Sequence, residues 1–156
     1  RTKIRAMSGK WLDSVHIEKA HNMGVLQIGR SFRAMRRQLN TKIIIVDYLQ
    51  LMPSVDSKAA THENLERNMK DLSVLAAQEN IAVVVLSQLK REAQGAEPKL
   101  SDMARSGSIE QIGKLVVALH TDNPESTELK FIILKNFQGK RGWVIAHYDR
   151  ATCSIR

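Results

Sequence analysis

The sequence predicts one α/β domain with a mostly parallel, twisted sheet and helices on both of its faces. Two aliphatic runs, Ile43–Val46 and Ile81–Leu86, are typical of strands buried on both faces. Between them lies a helical pattern whose apolar face carries Leu65, Met69 and Leu72. A strand, a helix and a strand in this order form a βαβ unit with parallel strands. A length of 156 residues is enough for a single core.

Polar side chains follow both predicted strands. Asp47 comes directly after the first run, and Gln88 follows the second. Sheets of this class bind ligands at the carboxyl ends of their strands, so adjacent strands would place both residues at one edge. An aspartate there suits the Walker B role, in which it holds Mg²⁺ on nucleotide phosphates. The alternative is a core strand followed by an ordinary turn aspartate.

The first quarter of the chain carries most of the net charge of +8. Residues 1–40 hold nine of the 24 Lys and Arg but only two of the 16 Asp and Glu. We expect a helix over Ser31–Leu39 with arginines opposite an apolar stripe, preceded by a short strand or extended connection at Gly24–Gly29. These arginines indicate either contact with nucleic-acid phosphates or a face directed at solvent or at an acidic neighbouring domain.

The segment Lys90–Ser108 is predicted as a long loop followed by the start of a helix, because it lacks an apolar period. Loops of this length between core strands are uncommon and usually functional. It carries four basic residues, namely Lys90, Arg91, Lys99 and Arg105. It contains no aromatic residue, so we do not expect base stacking. The alternative is a mobile surface connection.

The last third predicts three further strands. Leu115–Leu119 forms the first, and Leu129–Leu134 and Trp143–Tyr148 form a hairpin. Two basic side chains, Lys135 and Arg141, lie in the connection of this hairpin.

Three segments occur in the order and spacing of a known motif series. Val46–Met52, Leu86–Arg91 and Ser101–Gln111 resemble successive motifs of DnaB-type hexameric replicative helicases. The resemblance covers residues 42–150 well and residues 1–41 poorly. It implies a RecA-like P-loop NTPase core with a C-terminal β-hairpin. Residues 1–156 would then be a partial ATPase domain, in which residues 1–41 form a basic helical lead-in and residues 42–156 run from the Walker B strand to the hairpin.

The resemblance also implies a function: ATP-dependent unwinding of duplex DNA at replication forks, with translocation on single-stranded DNA. It implies ATP and Mg²⁺ as cofactors, a homo-hexameric ring, and primase and a helicase loader as further partners in the cytoplasm.

Site roles follow from the same resemblance. Asp47 would hold Mg²⁺, and Gln88 would sense the γ-phosphate of ATP. The loop would grip single-stranded DNA through its four basic residues and Gly107. Lys135 would reach the ATP of a neighbouring subunit. The finger arginine expected beside it is Phe137 here, and Arg141 is the candidate replacement. Before the Ser-Gly pair, Arg105 stands where the family commonly has an acidic residue, and Ala104 replaces a usual arginine.

The sequence contains no Gly-x-x-x-x-Gly-Lys-Ser/Thr segment, so the phosphate-binding loop is not in this chain. The family's catalytic glutamate also lies upstream of Walker B. We therefore expect a chain truncated on its N-terminal side, belonging to a longer helicase and inactive alone. The alternative is a remnant that does not hydrolyse ATP and acts as a DNA-binding or helicase-binding module.

Two other classes of protein are not indicated. Cys153 is the only cysteine, which excludes an intramolecular disulfide and a cysteine metal cluster. No apolar run approaches the roughly 20 residues that a membrane span needs, and the five histidines lack the spacing of a helical zinc site.

Overall fold

The computed structural model describes residues 15–19, 22–54, 59–90, 95–103 and 107–156. Its helices are α1 (Val25–Leu39), α2 (Thr61–Glu79) and α3 (Gly107–Ile112). Its strands are β1 (Ile43–Val46), β2 (Ala82–Val85), β3 (Leu115–His120), β4 (Glu128–Asn136), β5 (Gly142–Asp149) and β6 (Ser154–Ile155). Two 3₁₀ turns, Leu49–Leu51 and Leu100–Asp102, follow β1 and precede α3 respectively.

Strands β1 and β2 pair in parallel, and α2 connects them. Ile43 lies opposite Ala82, and Val46 lies opposite Val85. The helix is 19 residues long, which suits the crossover that parallel strands require. It ends at Asn80, whose positive φ of 50° turns the chain back toward β2. The predicted βαβ unit is confirmed.

One face of this parallel pair carries exposed aliphatic side chains in the described residues. Ile43 is 54% and Ile45 67% exposed, whereas Val46, Val83 and Val85 pack toward the core under α2. The prediction that both faces are buried is therefore wrong for this part of the chain. An unbroken aliphatic run does not distinguish one covered face from two, because strand side chains alternate between the faces.

The other four strands form an antiparallel sheet in the order β3-β4-β5-β6. The predicted hairpin is confirmed and extends to Glu128–Asn136 and Gly142–Asp149. Short connections join these strands, and such connections can only link antiparallel neighbours. The expected mostly parallel sheet is therefore wrong for the described strands, of which only β1 and β2 run parallel.

One apolar core joins the two sheets. Leu49, fully buried in the 3₁₀ turn after β1, lies at its centre. Its other buried members come from α2, from the segment before β3 and from β3 and β4, namely Leu65, Met69, Leu72, Met103, Ile109, Val116, Ala118 and Ile132. Because Leu49 lies two residues beyond Asp47, its burial fixes the chain that leaves the end of β1.

Helix α1 begins at Val25 and packs on α2. The predicted extended segment at Gly24–Gly29 is therefore wrong, apart from Gly24 itself, which is the N-cap. Gly29 and Phe32, three residues apart, are buried on the same helix face. A Cβ atom on Gly29 would lie 3.2 Å from Cδ1 of Leu75 in α2, so glycine permits the close approach. None of the helices in the described ranges is long and apolar enough to cross a membrane.

Candidate functional site at the carboxyl edge of the parallel strands

Asp47 and Gln88 follow the two parallel strands at the same edge of the sheet, which is called the carboxyl edge below. Two hydrogen bonds continue the pairing past the strands. The amide of Leu86 donates to the carbonyl of Val46 at 2.9 Å, and the amide of Leu49 donates to the carbonyl of Leu86 at 2.9 Å. Asp47 is exposed, and its peptide bond to Tyr48 is cis. The two strands are therefore adjacent, as the prediction of a shared edge for Asp47 and Gln88 requires.

A third polar residue at this edge was not identified from the sequence. Gln50 donates from Nε2 to the Ser87 hydroxyl at 2.9 Å. Its Oε1 accepts a longer hydrogen bond of 3.4 Å from the amide of Gln88. The sequence signal for this role is a single polar amide within the otherwise apolar segment Leu49–Met52.

The predicted DNA-contact loop leaves and returns beside Gln88. Leu89 and Met103 form an isolated antiparallel bridge, and the amide of Lys90 donates to the carbonyl of Asp102 at 2.8 Å. Residues 89–90 and 102–103 are called the loop stem. The ammonium of Lys90 donates to the carbonyl of Ser101 at 2.6 Å and so holds the stem closed.

The other predicted DNA-contact residues are placed only in part. Lys99 is exposed and directly precedes the 3₁₀ turn Leu100–Asp102, where its amide donates to Oδ2 of Asp102 at 2.8 Å. Gly107 is the first residue of α3. Arg91 and Arg105 lie outside the described residues.

Lys135 and Arg141 lie on the β4–β5 hairpin, in the antiparallel sheet. The ammonium of Lys135 donates to the carbonyls of Glu110 at 2.6 Å and Gln111 at 3.3 Å. These carbonyls belong to the last turn of α3, where a cation is favourable because the carbonyls lack helical partners. Arg141 is exposed in the connection between the strands. The structure therefore brings Asp47 and Gln88 together, while these two cations lie on a separate sheet.

Phe137, which stands at the finger position, has contacts within its own chain. Its amide donates to the carbonyl of Lys114 at 2.9 Å. The ammonium of Lys114 lies 4.7 Å from the centre of the Phe137 ring, a cation–π arrangement. The ring is still 69% exposed.

The arginine-rich helix α1 faces an acidic residue of α2. Nε of Arg33 lies 2.7 Å from Oε1 of Glu79, and Nη1 of Arg36 lies 3.2 Å from Oε2. Nη1 of Arg36 also donates to the main-chain carbonyl of Glu79 at 3.0 Å. Two of the three arginines in this helix's last two turns therefore bind Glu79 of the adjacent helix. Neither predicted partner, nucleic acid or an acidic neighbouring domain, is tested by this contact.

A family model described as the DnaB-like helicase C terminal domain matches residues 2–155. The chain belongs to this family. The predicted resemblance is thereby confirmed, and the match extends over residues 2–41, where the motifs gave little indication of it.

Relatives of known name share the family assignment. The chain is 34% identical over 148 residues to the replicative DNA helicase DnaB of Leifsonia xyli, covering 88% of this chain and 32% of the relative. It is 34% identical over 143 residues to the replicative DNA helicase DnaB of Treponema pallidum, covering 91% of this chain and 32% of the relative. The chain thus spans about a third of these two relatives.

Solved structures confirm the RecA-like α/β fold. One of them, described as an ATPase domain, superposes with a TM-score of 0.79 at 25% identity, covering 85% of this chain and 50% of that one. A DnaB-like replicative helicase, described with its interactions with primase, gives a TM-score of 0.78 at 28% identity, covering 86% and 35%. Membership of the DnaB-like family implies use of a nucleotide by an ATPase domain.

Proposed function

We propose that this chain supplies the C-terminal part of the ATPase domain of a replicative DNA helicase. This helicase unwinds duplex DNA with ATP while it moves on single-stranded DNA. The observation that supports this most strongly is the carboxyl edge. There Asp47 and Gln88 follow two adjacent parallel strands, and Gln88 immediately precedes the loop stem.

The residues at the carboxyl edge fit a magnesium nucleotide. Asp47 offers an exposed carboxylate, the type of hard oxygen ligand that Mg²⁺ prefers. Within the described ranges no three His, Cys, Asp or Glu residues cluster as metal ligands, so phosphate and water oxygens would complete the coordination. When bound, the ion neutralises charge on the β- and γ-phosphates. The Gln88 carboxamide can donate a hydrogen bond to a phosphate oxygen.

The loop stem gives the nucleotide site a short path to DNA. A shift of Gln88 on loss of the γ-phosphate would displace Leu89 and Lys90, which are bonded to the other side of the stem. The loop carries Arg91, Lys99 and Arg105, and sequence-independent binding of single strands relies on such cations. Lys90 contributes by holding the stem, since its ammonium binds Ser101.

The complete helicase would form a closed homo-hexameric ring with heterologous interfaces. In that ring Lys135 and Arg141 would face the ATP of a neighbouring subunit, where a cation supplied in trans stabilises the transferring phosphoryl group. Primase and a helicase loader are the further partners we propose.

A module that does not hydrolyse ATP is the second candidate. The hairpin favours it, because Lys135 is bound to α3 and Phe137 replaces the finger arginine. Such a module would bind DNA or helicase subunits through the same loop and hairpin.

The substitution Asp47→Asn separates the two candidates. In the complete helicase it should abolish ATP hydrolysis, because the amide keeps the size of the side chain but removes the charge that Mg²⁺ needs. Asp71→Asn, on the exposed face of α2, is the matched control and should hydrolyse ATP like the parent. Circular dichroism would verify that both variants fold. Parental ATPase activity in a folded Asp47→Asn protein would show that Asp47 is an ordinary turn carboxylate. A parent that binds DNA without hydrolysing ATP would support the module.

A further inference from the structure

Gln50 lies between the ends of the two parallel strands. It belongs to the 3₁₀ turn Leu49–Leu51, which begins two residues after Asp47. This turn is fixed on both sides: the Leu49 side chain is fully buried, and the Leu49 amide donates to Leu86 on the neighbouring strand. The side chain of Gln50 is therefore attached to a part of the chain that has little freedom to move.

Both polar ends of the Gln50 amide are bonded across to the end of β2. Nε2 donates to the hydroxyl of Ser87 at 2.9 Å, and Oε1 accepts from the amide of Gln88 at 3.4 Å. The first hydrogen bond is of ordinary length and the second is long, so the contact with Ser87 is the stronger. One amide thus links two consecutive residues after β2 to the turn after β1. An aliphatic side chain of similar size offers neither the donor nor the acceptor.

We propose that Gln50 is a positioning residue. It holds Ser87 and Gln88 in a defined position beside Asp47, so that events at the carboxyl edge reach the loop stem through Leu89 and Lys90. The coupling to DNA rests on the proposed function, whereas the positioning rests on the hydrogen bonds alone. Nothing in this role requires Gln50 to touch the nucleotide.

The first test measures positioning directly. Hydrogen–deuterium exchange with mass spectrometry on the complete protein would follow the peptide from residue 86 to residue 90. Both Gln50→Leu and Ser87→Ala should raise its exchange rate several-fold. Ser87→Thr, which keeps the hydroxyl, should restore slow exchange. The same change on the exposed face of α2, Gln78→Leu, is the matched control.

The second test measures coupling. The ratio of ATPase rates with and without single-stranded oligonucleotide should fall about 5-fold or more in Gln50→Leu and Ser87→Ala, the lower end of typical couplings between sites. Ser87→Thr and Gln78→Leu should keep the parental ratio. If Gln50 has only a structural role, Gln50→Leu should lower the melting temperature without changing this ratio.

The two measurements separate the positioning role of Gln50 from its coupling role. Unchanged exchange in Gln50→Leu would overturn the positioning role. Faster exchange with an unchanged ATPase ratio would overturn the coupling and leave a structural bond. A parent protein without DNA-stimulated ATPase would contradict the proposed function instead, and the exchange measurement would then decide the role of Gln50 by itself.

Discussion

At the scale of single residues, hydrogen bonds decide what each cation can do. Lys90 and Lys135 were both predicted to contact ligands, and both ammonium groups donate to main-chain carbonyls of their own chain. Lys99 is exposed and available to an anionic partner. The residue type indicated a positive charge in each case. The group that each ammonium contacts depends on which carbonyls the fold places nearby.

Replacing Lys135 with methionine should lower the free energy of unfolding by about 1 kcal/mol. The variant loses charge-assisted hydrogen bonds to the end of α3 and leaves those carbonyls without their cation. Urea denaturation would measure the change, with Lys140→Met, exposed at the same hairpin, as the control. Equal stability of the two variants would show that Lys135 does not stabilise α3, and would favour a role in trans alone.

Asp149 gives a pH-dependent contribution to stability. A hydrogen bond from the Thr152 hydroxyl, 2.7 Å away, lowers the pKa of Asp149 below its ordinary value of 3.8, with help from backbone amides of Ala151 and Thr152. Because the folded pKa is the lower one, the stabilisation is present above pH 3.8 and is lost as the pH falls through the folded pKa. Asp149→Asn should therefore melt below the parent at neutral pH, and the difference should shrink as the pH falls below 3.8. A constant difference in melting temperature would contradict this linkage.

At the scale of secondary-structure elements, the contact between α1 and α2 depends on Glu79. This carboxylate is only 15% exposed and lies against Arg33 and Arg36, which are about half exposed. The basic helix is therefore in part neutralised by its neighbour. Its arginines have less free charge for nucleic acid than the sequence alone suggested.

Glu79→Ala should destabilise the packing of α1 by about 1 kcal/mol, since the two arginines are partly screened by water. The loss should shrink at high salt. Glu66→Ala removes an exposed carboxylate from the same helix and is the control. Urea unfolding at low and high salt would measure both. A loss that does not depend on salt would assign the contact to apolar packing at Gly29 and Phe32.

At the scale of the whole molecule, two basic regions are candidates for the proposed DNA site. One is the loop with Arg91, Lys99 and Arg105, and the other is α1 with its arginines. The loop stem lies next to the carboxyl edge, whereas α1 packs on α2 through Glu79. We therefore expect the loop to bind single-stranded DNA.

Salt dependence of single-stranded DNA affinity distinguishes the two regions. Alanine at Arg91, Lys99 and Arg105 should flatten the log–log slope by roughly 0.7 for each phosphate contact removed. Alanine at three of the four α1 arginines, Arg33, Arg36 and Arg37, should leave the slope as it is. The reverse result would move the DNA site to α1.

The sequence predicts the βαβ unit, the hairpin and, provided that the two strands are adjacent, the common edge of Asp47 and Gln88. The first two follow from the local periodicity of apolar residues. The third follows from the rule that neighbouring parallel strands end at the same edge of a sheet. The motifs around Asp47 and Gln88 also sufficed to identify the family.

Contacts in the folded chain set the antiparallel order of β3 to β6, the start of α1 and the exposed face of β1. They also set the partners of Gln50, Lys90 and Lys135. These features depend on contacts between segments far apart in sequence, such as Gly29 with Leu75. The residue type fixes which hydrogen-bonding groups a side chain carries. Packing sets their partners, because an amide or ammonium bonds whichever group the fold brings within about 3 Å.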